Sequence, residues 1–346
     1  MLGRYLTDGG VGYCRLDNMI SGYVQVGMLE EALQVFKDMQ RVGGFLDQVA
    51  YVTVINACVG LGRLDDACNL FSQMPNPNDV AWNVMISGHA KRGYEVEAVN
   101  FFLQMRKGGV KPTRSTLGSL LSAISSLAAL DFGLIVHAMA IKQGLDSNVY
   151  VGSSLINMYA KCEKIDAANR IFHYLSEKNV VLWNAMLGGY AQNGYADEVI
   201  RLFTNMKACG LHPDQFTYTS ILSACSCLEN LEMGRQLHSV IIKNQFASNL
   251  FVGNALVDMY AKSGDLKEAR NQFELIRNRD NVSWNAIIVG TGDGTASPCL
   301  LIKIGLEISL YAGSALIDMY SKCGLIRDAR RALDVMPHCS VVSMNA

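Results

Sequence analysis

The sequence predicts an all-α protein, a stack of helix-turn-helix repeats, from three observations. The text WNAMLGGYAQNGYADEVIRLFTNM, which begins at Trp183, occurs 101 residues earlier as WNVMISGHAKRGYEVEAVNFFLQM and starts again 101 residues later as WNAIIVG. Within this text, apolar residues recur at the spacing of one helix face. Glycines recur at the point between two such helical stretches. A fixed period of this kind is typical of repeat proteins.

The 101-residue period is a triplet of unequal repeats, one of 31 residues and two of 35. We predict about ten repeats, eight of them regular. The regular ones cover 13–47, 48–78, 79–113, 114–148, 149–179, 180–214, 215–249 and 250–280. A shortened hybrid repeat (281–309), a short one (310–340) and an incomplete one (341–346) follow, and 1–12 stay unassigned.

Each repeat has the pattern of two helices joined by a tight turn. In LEEALQVFKDM, over 29–39, the apolar residues follow one helical stripe. The preceding NMISGYVQVG predicts a shorter apolar helix that ends at Gly27, and matching glycines recur in other repeats except where Glu163 replaces one. Neither helix can bury its apolar face alone, so we expect the pairs to stack into a superhelical solenoid with an inner and an outer layer.

The pattern breaks after 280. A repeat begins at Asn281, but the next short repeat begins at Leu310, about 41 residues before the place that the period predicts. The join reads VGTGDGTASPC. We expect one internally shortened repeat here, and a chain truncated within a further repeat.

Composition narrows the class of protein. Half of the 346 residues are hydrophobic and 18% are charged, which excludes disorder. No long apolar run predicts a membrane span. The net charge of −1 argues against binding nucleic acid through bulk positive charge, so such a role needs locally placed Lys or Arg. We expect the ten cysteines to be buried small thiols, since the closest pair, Cys225 and Cys227, does not have zinc-ligand spacing.

No catalytic motif stands out. A zinc deaminase would need H-x-E and C-x-x-C, but none of the six histidines has Glu two residues later, and C-x-x-C does not occur. The GTGDG text at 290–294 lacks the third glycine of a dinucleotide-binding loop, where Thr295 stands. We therefore expect no enzyme activity, no cofactor and no metal.

The texts WNAMLGGYAQNG, FVGNALVDMYAKSGDLKEARNQFELI and YTSILSACSCLENLEMGRQLHSVIIK resemble plant pentatricopeptide repeats (PPR). The alternation of 31 and 35 residues is similar to the PLS subclass, here without that subclass's C-terminal E and DYW-type domains. Tetratricopeptide repeats, the near alternative, keep a unit of about 34 residues and a W-x-x-L-G-x-x-Y text that is absent here. The resemblance covers 13–346 and implies a right-handed superhelical α-solenoid that binds single-stranded organellar RNA, roughly one base per repeat.

The resemblance also implies which residues would contact RNA. In this family the fifth and last residues of a repeat recognise the base edge. The pairs that would do so, with the base that each would favour, are Asn83–Thr113 (pyrimidine), Ser153–Asn179 (adenine), Asn184–Asp214 (uracil), Thr219–Asn249 (adenine), Asn254–Asp280 (uracil), Asn285–Ser309 (cytosine) and Ser314–Ser340 (purine). Since family RNA runs 5′ to 3′ along the chain, we expect a core A-U-A-U opposite 149–280. The pairs Asp17–Asp47, Val52–Asn78 and Gly118–Asn148 match no strong combination.

Two further sets of residues follow the repeat positions. The second residue would stack on the base, which gives Val80, Tyr150, Val181, Phe216, Phe251, Val282 and Tyr311. The same residues would look no different in sequence if they belonged to the core. The thirteenth residue is a lysine in four repeats, namely Lys91, Lys161, Lys262 and Lys322. These lysines would form a row on one face, where they either contact successive phosphates or are simply solvated.

A structural alternative exists for the paired positions. Asn, Ser and Thr near a helix start are ordinary N-cap residues, and Asp or Asn in a link favours turns. The residue at the repeat end differs between repeat types while the helix pattern stays constant, and this favours base recognition.

The resemblance implies a non-enzymatic specificity factor for organellar C-to-U RNA editing or RNA processing. An editing deaminase or another processing factor would act in trans, and no membrane is involved. The mitochondrion is the expected site, with the chloroplast as the alternative, although MLGRYLTDGGVGYC does not have the composition of a transit peptide. The rival hypotheses are a protein-binding helical scaffold and a degenerate or wrongly assembled fragment.

Overall fold

The computed structural model describes residues 11–41 and 47–290, together with 317, 326, 327, 329 and 330. Side chains are described from 18 onward in the first range and up to 287 in the second. Within these residues the chain consists of helices and turns and forms two compact units, Met1–Glu177 and Lys178–Ala346. Several sequence predictions lie outside the described residues, namely the junction at 291–309 and the residues Ser309, Tyr311, Ser314, Lys322 and Ser340.

Pairs of antiparallel helices build both units. The first unit contains α1 (Val11–Val26), α2 (Leu29–Arg41), α3 (Gln48–Gly60), α4 (Leu64–Gln73), α5 (Asp79–Lys91), α6 (Glu95–Lys107), α7 (Arg114–Ser126), α8 (Leu130–Lys142), α9 (Val149–Lys161) and α10 (Ile165–Tyr174). The second contains α11 (Val180–Gln192), α12 (Ala196–Ala208), α13 (Gln215–Cys227), α14 (Leu231–Lys243), α15 (Leu250–Lys262), α16 (Leu266–Leu275) and α17 (Asn281–Gly290). Odd numbers mark the first helix of a repeat and even numbers the second.

The difference between 31- and 35-residue repeats lies in the second helix and in the link after it. The second helices α4, α10 and α16, all in repeats of 31 residues, have 10 residues each. Their counterparts α6, α8, α12 and α14 have 13 residues each. First helices are constant, because α3, α5, α7, α9, α11, α13 and α15 all have 13 residues. The two repeat types therefore differ in the second helix and share a first helix of the same length.

The expectation of a shorter first helix is wrong. Helix α1 has 16 residues and its partner α2 has 13. No proline stands between Val11 and the apolar segment NMISG, so the helix extends backwards over residues that carry little apolar signal. Gly27 does end the first hairpin's opening helix, with φ of +82°.

The turn inside each hairpin uses left-handed backbone, which glycine adopts without strain. Gly62, Gly93, Gly194 and Gly264 have φ between 78° and 83°. Three repeats place a larger residue in the same conformation, namely Ala128, Glu163 and Glu229. The sequence pattern indicated this replacement only at Glu163. Tertiary packing of the hairpin thus holds the turn even where no glycine is present.

The three tryptophans are core residues, each between 5% and 8% exposed. Trp82 packs edge-on against Phe71 with ring centroids 4.7 Å apart, and Trp284 packs against Phe273 at 4.9 Å. In both cases the first helix of a repeat contacts the second helix of the repeat before it. Aromatic pairs of this geometry stabilise the stacking of neighbouring hairpins.

The cysteine prediction holds for two of the six cysteines that the structure describes. Cys58 and Cys225 are buried, and burial raises the pKa of each thiol to about 11. Two others are half-buried and two are exposed, namely Cys68, Cys162, Cys209 and Cys227. In the part of the chain that the structure describes, no group of three His, Cys, Asp or Glu is placed to hold a metal ion. No described helix has the length and apolar character needed to cross a membrane.

Candidate nucleic-acid interface

Residues 2, 5, 9 and 13 of a first helix lie on one face, because an α-helix turns by about 100° per residue. In α15 these residues are Phe251, Asn254, Asp258 and Lys262. In the second unit a cavity of about 490 Å³ opens on this face. We call it the groove; among its lining residues are Phe216, Thr219, Phe251, Asn254, Asp258, Asp280, Val282 and Asn285. The groove thus brings together second, fifth and last residues of successive repeats.

The second residues of the repeats are exposed, which removes the interpretation that they belong to the core. Their exposed fractions run from 48% for Val80 to 59% for Phe251. The others in this range are Tyr150, Val181, Phe216 and Val282. Apolar side chains that are half-exposed beside a groove provide flat surfaces on which a planar ligand can stack.

The fifth and last residues of repeat 180–214 are in direct contact. Asn184 Nδ2 donates hydrogen bonds to both carboxylate oxygens of Asp214, each at 2.9 Å. The hydroxyl of Thr217 donates to Asn184 Oδ1 at 2.6 Å. Both atoms of the Asn184 amide are therefore held, in a part of the surface that is half-buried.

Two other repeats show the same arrangement. Asn254 Nδ2 donates to Asp280 Oδ1 at 3.1 Å, and Ser283 Oγ donates to Asn254 Oδ1 at 2.7 Å. In the first unit, Asn83 Nδ2 donates to Thr113 Oγ1 at 3.1 Å, and the Thr116 hydroxyl donates to Asn83 Oδ1. The contribution of this Thr or Ser, the third residue of the following repeat, was not anticipated from the sequence. Its signal is a hydroxyl residue three places after the repeat end.

The last residues are also N-caps, as the structural alternative predicted. Asp214 Oδ1 accepts the backbone N–H of Thr217 at 3.0 Å, and the same bond is present from Ala81 to Asn78 and from Leu182 to Asn179. The fifth residues lie inside the first helix and cap nothing. Capping and pairing are therefore compatible, because one carboxylate or amide oxygen caps while the rest of the side chain meets its partner.

The repeats predicted to favour adenine have a different geometry. The hydroxyls of Ser153 and Thr219 donate to the carbonyl oxygens of Tyr150 and Phe216, both at 2.9 Å. Their protons are used in these bonds, so each hydroxyl oxygen is left as an acceptor. Ser153 belongs to the first compact unit and Asn179 to the second, and each is described within its own unit.

Repeat 114–148 has no side chain at its fifth position. A Cβ built on Gly118 would lie 2.3 Å from the Tyr150 ring, so this ring occupies the space above the glycine. The glycine therefore offers no side chain that could contact a base edge.

Asp280 is held as a carboxylate. Burial alone would raise its pKa, but the backbone N–H of Ser283 and the Asn254 amide donate to it, and with the Ser283 hydroxyl 2.9 Å away they lower its pKa below the ordinary value. Because the folded pKa is depressed, the ionised carboxylate stabilises the fold above the ordinary pKa of Asp, and this contribution is lost as the pH falls through the folded value.

The substitution Asn254→Ala is expected to raise the pKa of Asp280, since it removes one donor to the carboxylate. The measurement is a carboxyl NMR titration of both proteins. Asp265 is the internal control, because its lowered pKa comes first from a hydrogen bond with Arg235 and should not change. An Asp280 pKa identical in the two proteins would contradict the assigned contact.

The thirteenth-position lysines differ in their surroundings. Lys91, Lys161 and Lys262 are described, and of these Lys262 Nζ forms an ion pair with Asp258 Oδ1 at 2.9 Å. Asp258 also accepts from Ser226 at 2.8 Å. At the position of Asp258, the helix that carries Lys161 has the neutral Asn157. The charge of Lys262 is thus partly balanced by a neighbour of opposite sign.

Comparison with known proteins gives a consistent result. The PPR repeat family model matches residues 16–59, 77–126 and 178–227, and a second PPR repeat model matches 49–76, 153–180, 216–246, 254–280 and 314–341. A mitochondrial pentatricopeptide repeat-containing protein of Arabidopsis thaliana is 52% identical over 95% of this chain. A chloroplastic one from the same plant is 30% identical, also over 95% of this chain.

Solved structures confirm the predicted all-α fold of stacked helical hairpins. The pentatricopeptide repeat protein PPR10 from maize superimposes with a TM-score of 0.62 at 19% identity, over 96% of this chain and 54% of that one. PPR10 in complex with an 18-nucleotide psaJ RNA element gives 0.63, over 95% of this chain and 56% of that one. At this identity the likeness shows the fold alone.

This chain spans only part of the length of its relatives, 36% of the mitochondrial protein and 66% of the chloroplastic one. The alignment with the mitochondrial relative runs over 369 positions yet includes only 95% of the 346 residues, so several tens of its positions have no residue in this chain.

Proposed function

The chain belongs to the PPR repeat family, and from that premise we propose that it binds single-stranded RNA through its first helices, with about one base per repeat. PPR10, which shares the fold, has been solved with a bound RNA element. One observation carries the proposal for this chain: the predicted fifth and last residues meet, and one such pair, Asn254 and Asp280, lines the groove together with the exposed second residues Phe251 and Val282.

The hydrogen-bonding groups left over by each pair support the predicted bases. In repeat 180–214, the two oxygens of the Asp214 carboxylate share one N–H of Asn184 Nδ2, which leaves the second N–H for a ligand, and Asp214 retains free lone pairs. A donor beside an acceptor complements uracil, whose Watson–Crick edge presents a carbonyl oxygen beside N3–H. Asn254 with Asp280 offers the same combination.

Adenine needs the opposite arrangement, since N1 accepts and N6 donates. Ser153 leaves an acceptor oxygen, and Asn179 uses its Oδ1 for capping, so its Nδ2 can donate. Thr219 with Asn249 is similar, except that Asn249 Nδ2 also donates to Gln215 at 2.6 Å. The proposed core is therefore A-U-A-U from 149 to 280, with a pyrimidine opposite Asn83–Thr113. Cytosine opposite Asn285–Ser309 and a purine opposite Ser314–Ser340 extend the proposal beyond the described residues.

The cellular role that we propose is a PLS-type specificity factor, without catalysis of its own, for RNA editing or processing in an organelle. The 52% identical relative is mitochondrial and the 30% identical one chloroplastic, which favours the mitochondrion first. A deaminase or another processing factor would be supplied in trans.

A titration of the chain against single-stranded RNA containing A-U-A-U tests the binding function. A shuffled RNA of the same composition is the control. We expect tighter binding to the first RNA. Equal binding to both would leave a non-specific RNA binder, and no binding to either would favour the protein-binding scaffold.

Single substitutions of the position-13 lysines are expected to show which of them contact phosphate groups. Lys161→Ala should reduce the slope of log affinity against log salt by about 0.7, the value for one phosphate contact on a single strand. Lys262→Ala should change the slope less, because Asp258 balances that charge. Titrations at several salt concentrations measure both slopes. Equal slopes for wild type and Lys161→Ala would contradict the phosphate contact.

A further inference from the structure

Three hydroxyl side chains that contact the fifth-position Asn residues are completely buried. Thr116, Thr217 and Ser283 each have 0% exposure, and each is the third residue of the repeat that follows an Asn pair. Buried hydroxyl groups of this kind must form hydrogen bonds. These three donate to the Oδ1 atoms of Asn83, Asn184 and Asn254.

The residue at this third position varies together with the fifth residue across the chain's own repeats. Each fifth-position Asn whose hydrogen bonds are described in full has a hydroxyl residue in the following repeat. Among the regular repeats of 13–280, those with another fifth residue are followed by an aliphatic third residue; the fifth and third residues are Asp17 and Ala50, Val52 and Ala81, Gly118 and Val151, Ser153 and Leu182, Thr219 and Val252. The repeat 310–340 departs from this rule, because Ser314 is followed by Ser343.

The broken junction supplies the exception. Asn285 is a fifth-position Asn, but the third residue of the next repeat, counted from Leu310, is Ala312. Among the described residues, Asn285 Oδ1 is buried without a hydrogen-bond partner.

The direction of the bond from Thr217 to Asn184 is determined by the neighbouring groups. Thr217 Oγ1 accepts the backbone N–H of Asp214 at 3.2 Å, so its own proton is free to be donated. Asn184 Oδ1 lies at 2.6 Å and Asp214 Oδ1 at 3.0 Å, so the amide oxygen is the nearer acceptor. The Asp214 carboxylate, which only accepts, requires the Nδ2 side of the amide. Hydroxyl and carboxylate together leave one orientation of Asn184.

We propose that Thr217 and Ser283 are specificity-determining residues that hold the fifth-position Asn with its N–H available to the base, so that uracil is preferred over cytosine. The inference rests on the proposed function and adds a third position to the recognising pair. Each is a positioning residue, because it acts through the Asn and does not touch the base. An amide free to turn could present its oxygen instead, and would then accept from the exocyclic amine of cytosine.

Thr217→Val tests the inference, since it keeps the shape of the side chain and removes the hydroxyl. Two RNAs are titrated that differ only in U or C at the nucleotide assigned to repeat 180–214. We expect the U-over-C affinity ratio to fall by about tenfold, the effect of one hydrogen bond. Thr217→Ser is the matched control and should keep the wild-type ratio. The ratio at the nucleotide assigned to Asn254–Asp280 should also stay unchanged.

The outcomes separate this inference from the proposed function. If wild type prefers U and Thr217→Val prefers it equally, the positioning role is wrong and RNA recognition stands. If wild type binds no RNA, both fail. A uniform loss of affinity with an unchanged ratio would show a purely structural capping role. Should Thr217→Val not fold, Ser283→Ala is tested by the same ratio at the nucleotide assigned to Asn254–Asp280, where a retained preference overturns the proposal.

Discussion

The double substitution Asn184→Ser with Asp214→Asn is expected to change the preferred base at one nucleotide from uracil to adenine. It installs the pair of repeat 149–179 in repeat 180–214. The amide introduced in place of Asp214 would still cap α13 through its Oδ1, as Asn179 caps α11, and would leave Nδ2 to donate to adenine N1. The new hydroxyl would bond the carbonyl three residues before it, as Ser153 does, and leave an acceptor for N6–H.

The expected size of the change is about 1–3 kcal/mol in each direction, or roughly 10- to 100-fold in affinity. Titration against RNAs with U or A at that nucleotide measures it. The matched control makes the same two changes on the exposed surface of α12, Asn205→Ser with Asp197→Asn, and should leave the preference unchanged. A double variant that still prefers U would contradict base recognition by this pair.

Phe251→Ala is expected to weaken binding to every RNA without changing base preference. The Phe251 ring is 59% exposed and lines the groove beside Asn254. Removal of one aromatic stacking surface costs about 1–3 kcal/mol per base, so affinity should fall by roughly 10- to 100-fold. Because the ring is not part of the core, the midpoint of thermal unfolding should change little.

The control for this substitution is Leu275→Ala. Leu275 is 70% exposed on the second helix α16 and does not line the groove. The Leu275→Ala substitution removes an apolar side chain of similar exposure and should leave the affinity for RNA unaltered. A Phe251→Ala variant that unfolds at lower temperature and binds RNA as wild type does would identify the ring as a structural residue.

Much of the fold could be predicted from the spacing of the recurring sequence motifs. Helices α3, α5, α7, α9, α11, α13, α15 and α17 begin at the residues where the repeats were divided. The reason is physical: the residue before each division is Asp, Asn or Thr, and such residues cap helices. The length of α1 could not be predicted, because its first turns carry little apolar periodicity.

The candidate site was predictable in part. The periodicity puts Asn184 and Asp214 in one repeat, but only the hairpin geometry brings residues 30 apart within 2.9 Å. Whether Phe216 and Phe251 face the core or the solvent could not be decided, because both environments accept the same residue types. The Asp258–Lys262 pair could have been found, since residues four apart on a helix are neighbours.

The buried hydroxyls are the part of the site that the sequence did not reveal. Thr217 resembles an ordinary capping-box residue, and it does form one with Asp214. Its third bond, to Asn184, joins two repeats and depends on how closely α11 and α13 pack. Pairing, capping and orientation of the amide therefore belong to one hydrogen-bond network, which is formed without a ligand. Preorganised groups of this kind contribute to specificity because less ordering is required on binding.

Base recognition by the fifth and last residues can be measured with the wild-type chain and four RNAs. They are identical except at the nucleotide assigned to Asn184–Asp214, which is U, C, A or G within the A-U-A-U core. We predict tightest binding to U, weaker binding to C, and a loss of roughly 10- to 100-fold for A and G. Four equal affinities would contradict recognition of the base by the fifth and last residues of the repeat.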